Sequence, residues 1–140
     1  GITVCAAAGN ENGCRVSSPG TSPYVITAGA AEEMVRFKLK SGKSYYIKPD
    51  VFAPSENIIS CKAEGFSFSA SNRNNDKTVD KYYISMSGTS MATPMVSAAT
   101  ALLCQYNPSF LPKDIKRIFY KSLINTNGIL NIENLFRFVN

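Results

Sequence analysis

Histidine is absent from all 140 residues. The chain's own residues therefore cannot provide an imidazole base, a histidine metal ligand or a catalytic triad that contains histidine. Cysteine is sparse: Cys5, Cys14, Cys61 and Cys104 stand far apart and form no C-x-x-C pair, so neither a zinc site nor a thioredoxin-type motif is signalled. Free core thiols are expected, because a chain of this size can bury a core without disulfides; in an exported protein one or two bridges stay open, with no pairing fixed by spacing. Apolar runs are short as well. The longest, residues 91–104, is interrupted by Thr93, Pro94, Ser97 and Thr100 and falls below the roughly 18 residues of a membrane span, so no membrane partner is expected.

Charge is equally modest. Charged side chains make up 18% of the sequence against 44% hydrophobic, the composition of a globular domain rather than of a disordered or low-complexity chain. Fifteen Lys and Arg against ten Asp and Glu leave a formal charge of +5. The cations are scattered, from Arg15 and Arg36 through Lys43 and Lys48 to Lys113, Lys116, Arg117 and Lys121. With no aromatic-basic stretch among them, a solvated basic surface is expected, and no nucleic-acid partner.

What is present is a series of short apolar runs followed by helices. Residues 1–8 read as a buried strand rather than a signal peptide, since no basic lead precedes the small residues. A strand that opens at the first residue is expected to belong to a longer polypeptide. Tyr24-Val25-Ile26-Thr27-Ala28-Gly29-Ala30 is unalternating, as in a parallel sheet covered on both faces, and a polar turn over 11–22 separates the two runs. Residues 34–39 and 44–48 alternate about Ser41-Gly42 and predict a hairpin. Short strands are predicted at 57–61 and 82–85, with 67–81 an exposed polar excursion between them.

Two helices follow. A helix over 90–106 sets Ala92, Met95, Val96, Ala99, Leu102 and Leu103 on one face and Met91, Ala98 and Ala101 on much of the other, which predicts burial nearly all round. Pro94 is placed in its first turn, where the backbone N–H has no intrahelical acceptor, and Asn107-Pro108 ends it. Pro112 opens a second helix with Ile115, Ile118, Phe119 and Leu123 as its apolar stripe and Lys113, Lys116, Arg117 and Lys121 in water. Leu135, Phe136 and Val139 mark a last amphipathic turn. Strands with these helices predict an α/β sandwich.

The segment Ser87-Gly88-Thr89-Ser90-Met91-Ala92-Thr93-Pro94 puts Ser90 where a tight glycine turn meets a helix N-terminus. Unpaired N–H groups and the positive dipole end there can stabilise a developing anion. Taken alone, a serine N-cap is the simpler use of Ser90. Taken alone, Gly9-Asn10-Glu11-Asn12-Gly13 is a turn after a strand. Together, residues 88–94 followed by Val96 resemble the nucleophile motif of the subtilisin-like serine peptidases, and Ala7-Ala8-Gly9-Asn10 resembles that family's oxyanion-hole segment. Residues 22–30, Lys48-Pro49-Asp50-Val51-Phe52-Ala53-Pro54 and Gly128-Ile129-Leu130-Asn131-Ile132 resemble further family segments, in the family's order.

This resemblance runs from residue 2 to about residue 136. It implies the C-terminal half of a subtilisin-like parallel-sheet sandwich with a buried nucleophile helix, residues 1–140 being a partial peptidase domain. By it Ser90 is the nucleophile, Asn10 the side-chain donor to the oxyanion with the Ser90 N–H beside it, and Ala7, Ala8 and Gly9 one wall of the primary specificity pocket. The family's aspartate and histidine lie on segments N-terminal to that asparagine and are expected from upstream sequence or another chain. Met95 stands where the family usually has histidine outside the triad, Ser55 and Ala98 replace frequent glycines, and the 67–81 excursion is longer than usual. Asp50 fits a structural segment, and Asp76 and Asp80 fall in polar loop, so none is a partner for Ser90. No dense Asp/Asn/Glu loop suggests calcium, and no metal or other cofactor is expected.

The implied function is a serine endopeptidase half-domain acting on a peptide or protein substrate through an acyl-enzyme, inactive by itself. Its partner is the N-terminal half of the same domain, in cis or as a separate chain. An open sheet edge is expected to cause poor stability or self-association otherwise. The missing histidine motivates a second expectation, a pseudoprotease that binds peptides or proteins. The resemblance favours a secreted or cell-surface setting, which the sequence itself does not fix.

Overall fold

The structure is a computed structural model that describes residues 1–11, 15–67, 77–124 and 126–139. In chain order its elements are β1 (Cys5–Ala7), β2 (Ile26–Ala30), β3 (Phe37–Ser41), β4 (Ser44–Lys48), β5 (Val51–Ala53), β6 (Ile58–Cys61), β7 (Lys77–Thr78), β8 (Tyr83–Met86), α1 (Thr89–Tyr106), α2 (Pro112–Ser122) and α3 (Ile132–Phe136). A parallel sheet in the order β1-β2-β5 aligns Cys5 with Ile26 and Ala28 with Val51. Beyond β5, Phe52 forms a parallel bridge to Ile129, with Phe52 N–H donating to Gly128 O at 2.9 Å and Leu130 N–H to Phe52 O at 2.7 Å. The α/β architecture with a parallel sheet is the one expected.

Burial of Ile26, Thr27, Ala28 and Gly29 in succession explains why β2 does not alternate: both of its faces are covered. On one face lies α1. At Gly29 a Cβ would stand 2.5 Å from Pro49 Cγ and 2.8 Å from the Phe52 ring, so the segment after β4 packs too closely for any side chain there. The core joins β2 and β5 to Ala92, Val96, Ala99 and Leu103 of α1, to Ile115, Ile118 and Phe119 of α2, and to Leu123 and Leu135. Full burial of a leucine such as Leu103 contributes roughly 1.5–3 kcal/mol relative to exposure.

Several expectations are corrected. Helix α1 is buried along one face only, because the sheet covers one side of it; Ser97, Ala98, Ala101 and Leu102 are exposed. It begins at Thr89 with Gly88 as N-cap, which puts Pro94 in the second turn and leaves the Ser90 carbonyl without its i+4 donor. The hairpin starts at Phe37 rather than at 34, because Met34 takes a φ of 44° and donates its N–H to Ala30 O, closing a turn after β2. Residues 77–78 of the excursion form β7, which pairs antiparallel with β8; residues 68–76, Asp76 among them, lie outside the described ones, as does Cys14. Cys5, Cys61 and Cys104 are free, but Cys61 and Cys104 are exposed instead of in the core.

The basic surface is also interrupted. Lys48 is fully buried at the end of β4, where Nζ donates to Asp50 Oδ2 (2.6 Å), Thr27 Oγ1 (2.8 Å) and Val25 O (2.9 Å). Asp50 also accepts from Thr27 N–H at 2.7 Å and Tyr120 OH at 2.6 Å. Lys116, expected in water, instead turns inward to Pro23 O and Val25 O, 3.4 Å from Asp50 Oδ1. A buried ammonium requires such partners. Asp50 is thus a structural anchor between β2, β4 and α2, in keeping with its sequence reading.

Candidate active site

At the C-terminal end of β1 the chain is held by Ala8 N–H donating to Ala28 O (2.8 Å) and by Ser17 N–H donating to Ala8 O (2.7 Å). It then turns through Gly9 at φ 107°, a conformation unfavourable for any residue with a Cβ. This delivers Asn10 to the start of α1. Asn10 Oδ1 accepts the Thr89 N–H at 2.9 Å, so a first-turn donor of the helix is satisfied by a side chain 79 residues away. The Thr89 hydroxyl accepts from Gly9 N–H at 3.1 Å and lies 3.2 Å from Gly9 O and 3.1 Å from Asn10 Oδ1, one of which receives its single proton. With Oδ1 tied down in this way, the orientation of the Asn10 amide group is fixed.

Gly88 makes this approach feasible. Its φ is 140°, and a Cβ there would stand 2.9 Å from Asn10 Nδ2 and 3.1 Å from Oδ1. The next-but-one residue, Ser90, is the second residue of α1 and is exposed. Gly88, not Ser90, is the N-cap, so the capping use of the serine hydroxyl is excluded. Among the described residues the Ser90 hydroxyl takes part in no hydrogen bond. Its N–H precedes the first intrahelical donor and has no i−4 partner within the helix.

Two neighbouring cavities flank this turn. One, of about 110 Å³, is lined by Ala8, Gly9, Gly29, Ala30, Thr89 and an apolar floor of Val16, Pro49 and Phe52, with Glu11, Arg15 and Glu33 also on its wall. The other, of about 450 Å³, runs along Gly9, Asn10, Ser55, Ser87, Gly88 and Thr89. Of the expected pocket residues, Ala8 and Gly9 line the smaller cavity and Gly9 also the larger; Ala7 lies within β1 and lines neither. Ser90 lines neither cavity but adjoins Thr89, which lines both. Among the described residues no group of His, Cys, Asp or Glu is arranged to hold a metal ion, and no helix is long and apolar enough to cross a membrane.

The Subtilase family model matches residues 1–138. The chain belongs to the subtilase family. It is 36% identical to the serine protease AprX of Bacillus subtilis (strain 168), an alignment covering 84% of this chain and 29% of AprX. Against subtilisin BL of Lederbergia lenta the identity is 31%, covering 97% of this chain and 42% of the relative. The chain therefore spans less than half the length of these relatives. Solved structures agree on the fold: the maturation protease PagA superimposes with TM-score 0.67 at 24% identity over 99% of this chain and 51% of PagA, and fervidolysin of Fervidobacterium pennivorans with TM-score 0.66 at 22% identity over 98% and 22%.

Two features of this candidate site are not legible in the sequence. Thr89 lies within the 88–94 motif but no role follows for it from the sequence, although a hydroxyl directly after the turn glycine is a signal that the turn needs a local partner. Glu32 had no signal at all: it reaches the site through Ser55, a contact between residues 23 apart.

Proposed function

We propose that this subtilase segment is the nucleophile-bearing part of a serine endopeptidase. Ser90 attacks the scissile carbonyl, its proton passing to an imidazole supplied from outside this chain. The oxyanion is held by Asn10 Nδ2 and the Ser90 N–H; the C–N bond breaks, and water then hydrolyses the acyl-enzyme. The observation that carries this reading is the bond from Thr89 N–H to Asn10 Oδ1, which fixes the Asn10 carboxamide against Gly88 at the helix N-terminus where Ser90 is exposed. A carboxamide suits the role because it donates without adding a charge. The small cavity with its apolar floor takes a substrate side chain, with Ala8 and Gly9 on its wall.

The aspartate and histidine are supplied by an N-terminal half of the same domain, in cis or as a separate chain, with residues 1–140 as a partial domain. Support comes from the lack of histidine and from the share of AprX that is matched. The exposed outer face of α1 at Ala98, Ala101 and Leu102 is the surface that such a half covers. By itself the chain is catalytically negligible, since a serine hydroxyl without a base is a poor nucleophile at neutral pH.

Mutagenesis of the full-length protein tests this. Ser90→Ala abolishes peptide hydrolysis, and Asn10→Ala lowers kcat by about 10²–10³, a loss larger than the roughly 0.5–2 kcal/mol of stability that goes with its bond to the Thr89 N–H. Unchanged hydrolysis in both variants would remove the site assignment. The absence of histidine favours one alternative, a pseudoprotease that binds peptides with the same cavities; intact aspartate and histidine upstream argue for the enzyme, and their replacement for the binding protein.

A further inference from the structure

The turn that carries Ser90 is reached by two separate sheets. β6 and β8 pair antiparallel up to Ile58 opposite Met86. Past the end of that ladder, Asn57 N–H donates to Ser87 Oγ at 3.0 Å, and Gly88 N–H donates to Ser55 O at 2.8 Å. The parallel sheet extends in the same way, by Ala31 N–H donating to Ala53 O at 3.0 Å. Ser55 stands where the chain crosses from β5 to β6, between the two ladders, and is 2% exposed.

At that crossing Ser55 is gripped at two points by one carboxylate. Its hydroxyl donates to Glu32 Oε2 at 2.6 Å and its N–H to Glu32 Oε1 at 3.1 Å. Charge-assisted hydrogen bonds of this kind are shorter and about twice as strong as neutral ones, and two of them fix an orientation as well as a distance. The Glu32 carboxylate therefore locks the Ser55 peptide, and the Ser55 carbonyl in turn holds the N–H of Gly88. Because Gly88 has a φ of 140° that glycine alone adopts readily, few local forces hold that residue in place.

We infer that Glu32 and Ser55 are positioning residues for the nucleophile turn: their two-point clamp fixes the Ser55 carbonyl, and through it the Gly88 N–H, so that Ser90 and Asn10 keep their register. This rests on Ser90 as nucleophile. By the family resemblance, Ser55 replaces a frequent glycine in this chain's Ala-Pro-Ser segment. Glycine at 55 has no hydroxyl to donate to Glu32.

The test uses the full-length protein with Glu32→Gln, Ser55→Ala and the double variant. Three quantities are read: the rate of fluorophosphonate modification of Ser90, kcat and KM for a peptide substrate, and hydrogen exchange of the Gly88 amide. Each single variant is expected to slow labelling and lower kcat by about 10- to 100-fold while KM moves little, since a misplacement of order 1 Å reaches such factors. Gly88 exchange is expected to accelerate, and the double variant to be no worse than the more affected single, because both changes break one clamp. Faster Gly88 exchange with unchanged labelling and kcat would reduce the clamp to a structural contact and overturn the inference. So would unchanged exchange, or losses in the double variant that multiply. Absence of Ser90 labelling in the folded wild type would instead overturn the nucleophile assignment, while Gly88 exchange still reports whether the clamp exists.

Discussion

Single residues at the start of α1 carry opposing demands. Gly88 has to adopt a positive φ, leave room for the Asn10 carboxamide and present its N–H to Ser55. Gly88→Ala is therefore expected to cost more than the usual ~1 kcal/mol of a glycine replaced at a left-handed position, since the added methyl collides with the carboxamide itself. It should also lower kcat further than its stability loss explains; denaturant midpoints and kinetics on the same preparation check this. Lys48 is the other residue under strain. Burial drives its pKa down from 10.5 to about 8, against the pull of Asp50. Since the folded value is the lower one, the unfolded chain binds the extra proton between pH 8 and 10.5, and the unfolding free energy is expected to rise with pH across that window. Above about pH 10 the rise is opposed, because burial and Asp50 hold the Tyr120 hydroxyl protonated in the folded chain after the unfolded one has ionised. Urea midpoints from pH 7.5 to 9.5 measure the first effect; a flat or falling series would contradict it.

Among the elements, β2 and α2 were legible from their apolar patterns, whereas for α1 the helix was legible but the extent of its buried face was not. An unalternating apolar run belongs to a strand covered on both faces, and the stripe of Ile115, Ile118 and Phe119 to a helix covered on one. Their contacts were not legible. The scatter of cations along the chain put Lys48 on a solvated surface, because composition does not show that the last residue of β4 ends under the carbonyl of Val25. The order of the glycine turn, Ser90 and Asn10 was likewise visible, whereas the acceptor Oδ1 that joins them through Thr89 is a matter of tertiary distance. Breaking the buried pair is expected to be costly: Asp50→Asn leaves the Lys48 ammonium buried without its counter-charge, about 3–5 kcal/mol by chemical denaturation, and Lys48→Met is expected to cost less because Asp50 keeps Lys116 at 3.4 Å and the Tyr120 hydroxyl. Leu103→Ala, at the centre of the α1 face, is expected to cost about 2–5 kcal/mol by the cavity it leaves.

On the scale of the whole molecule, α1 divides the structure into a packed side and an open one. Its inner face meets β1, β2 and β5, while Ala98, Ala101 and Leu102 are exposed and, among the described residues, β1 is an edge strand. Exposed strand edges and apolar faces drive association, so the isolated chain is expected to sediment as species larger than a monomer. Addition of the N-terminal half of the domain should suppress this, and a monodisperse monomer by sedimentation velocity would contradict the proposed pairing. The most direct measurement is fluorophosphonate labelling of the chain alone and in its full-length context, with the modified residue located by mass spectrometry. If Ser90 is a nucleophile activated by groups outside this chain, it is modified only in the full-length protein. No modification of Ser90 in folded full-length protein free of any bound propeptide, or modification of a different residue, would contradict that role.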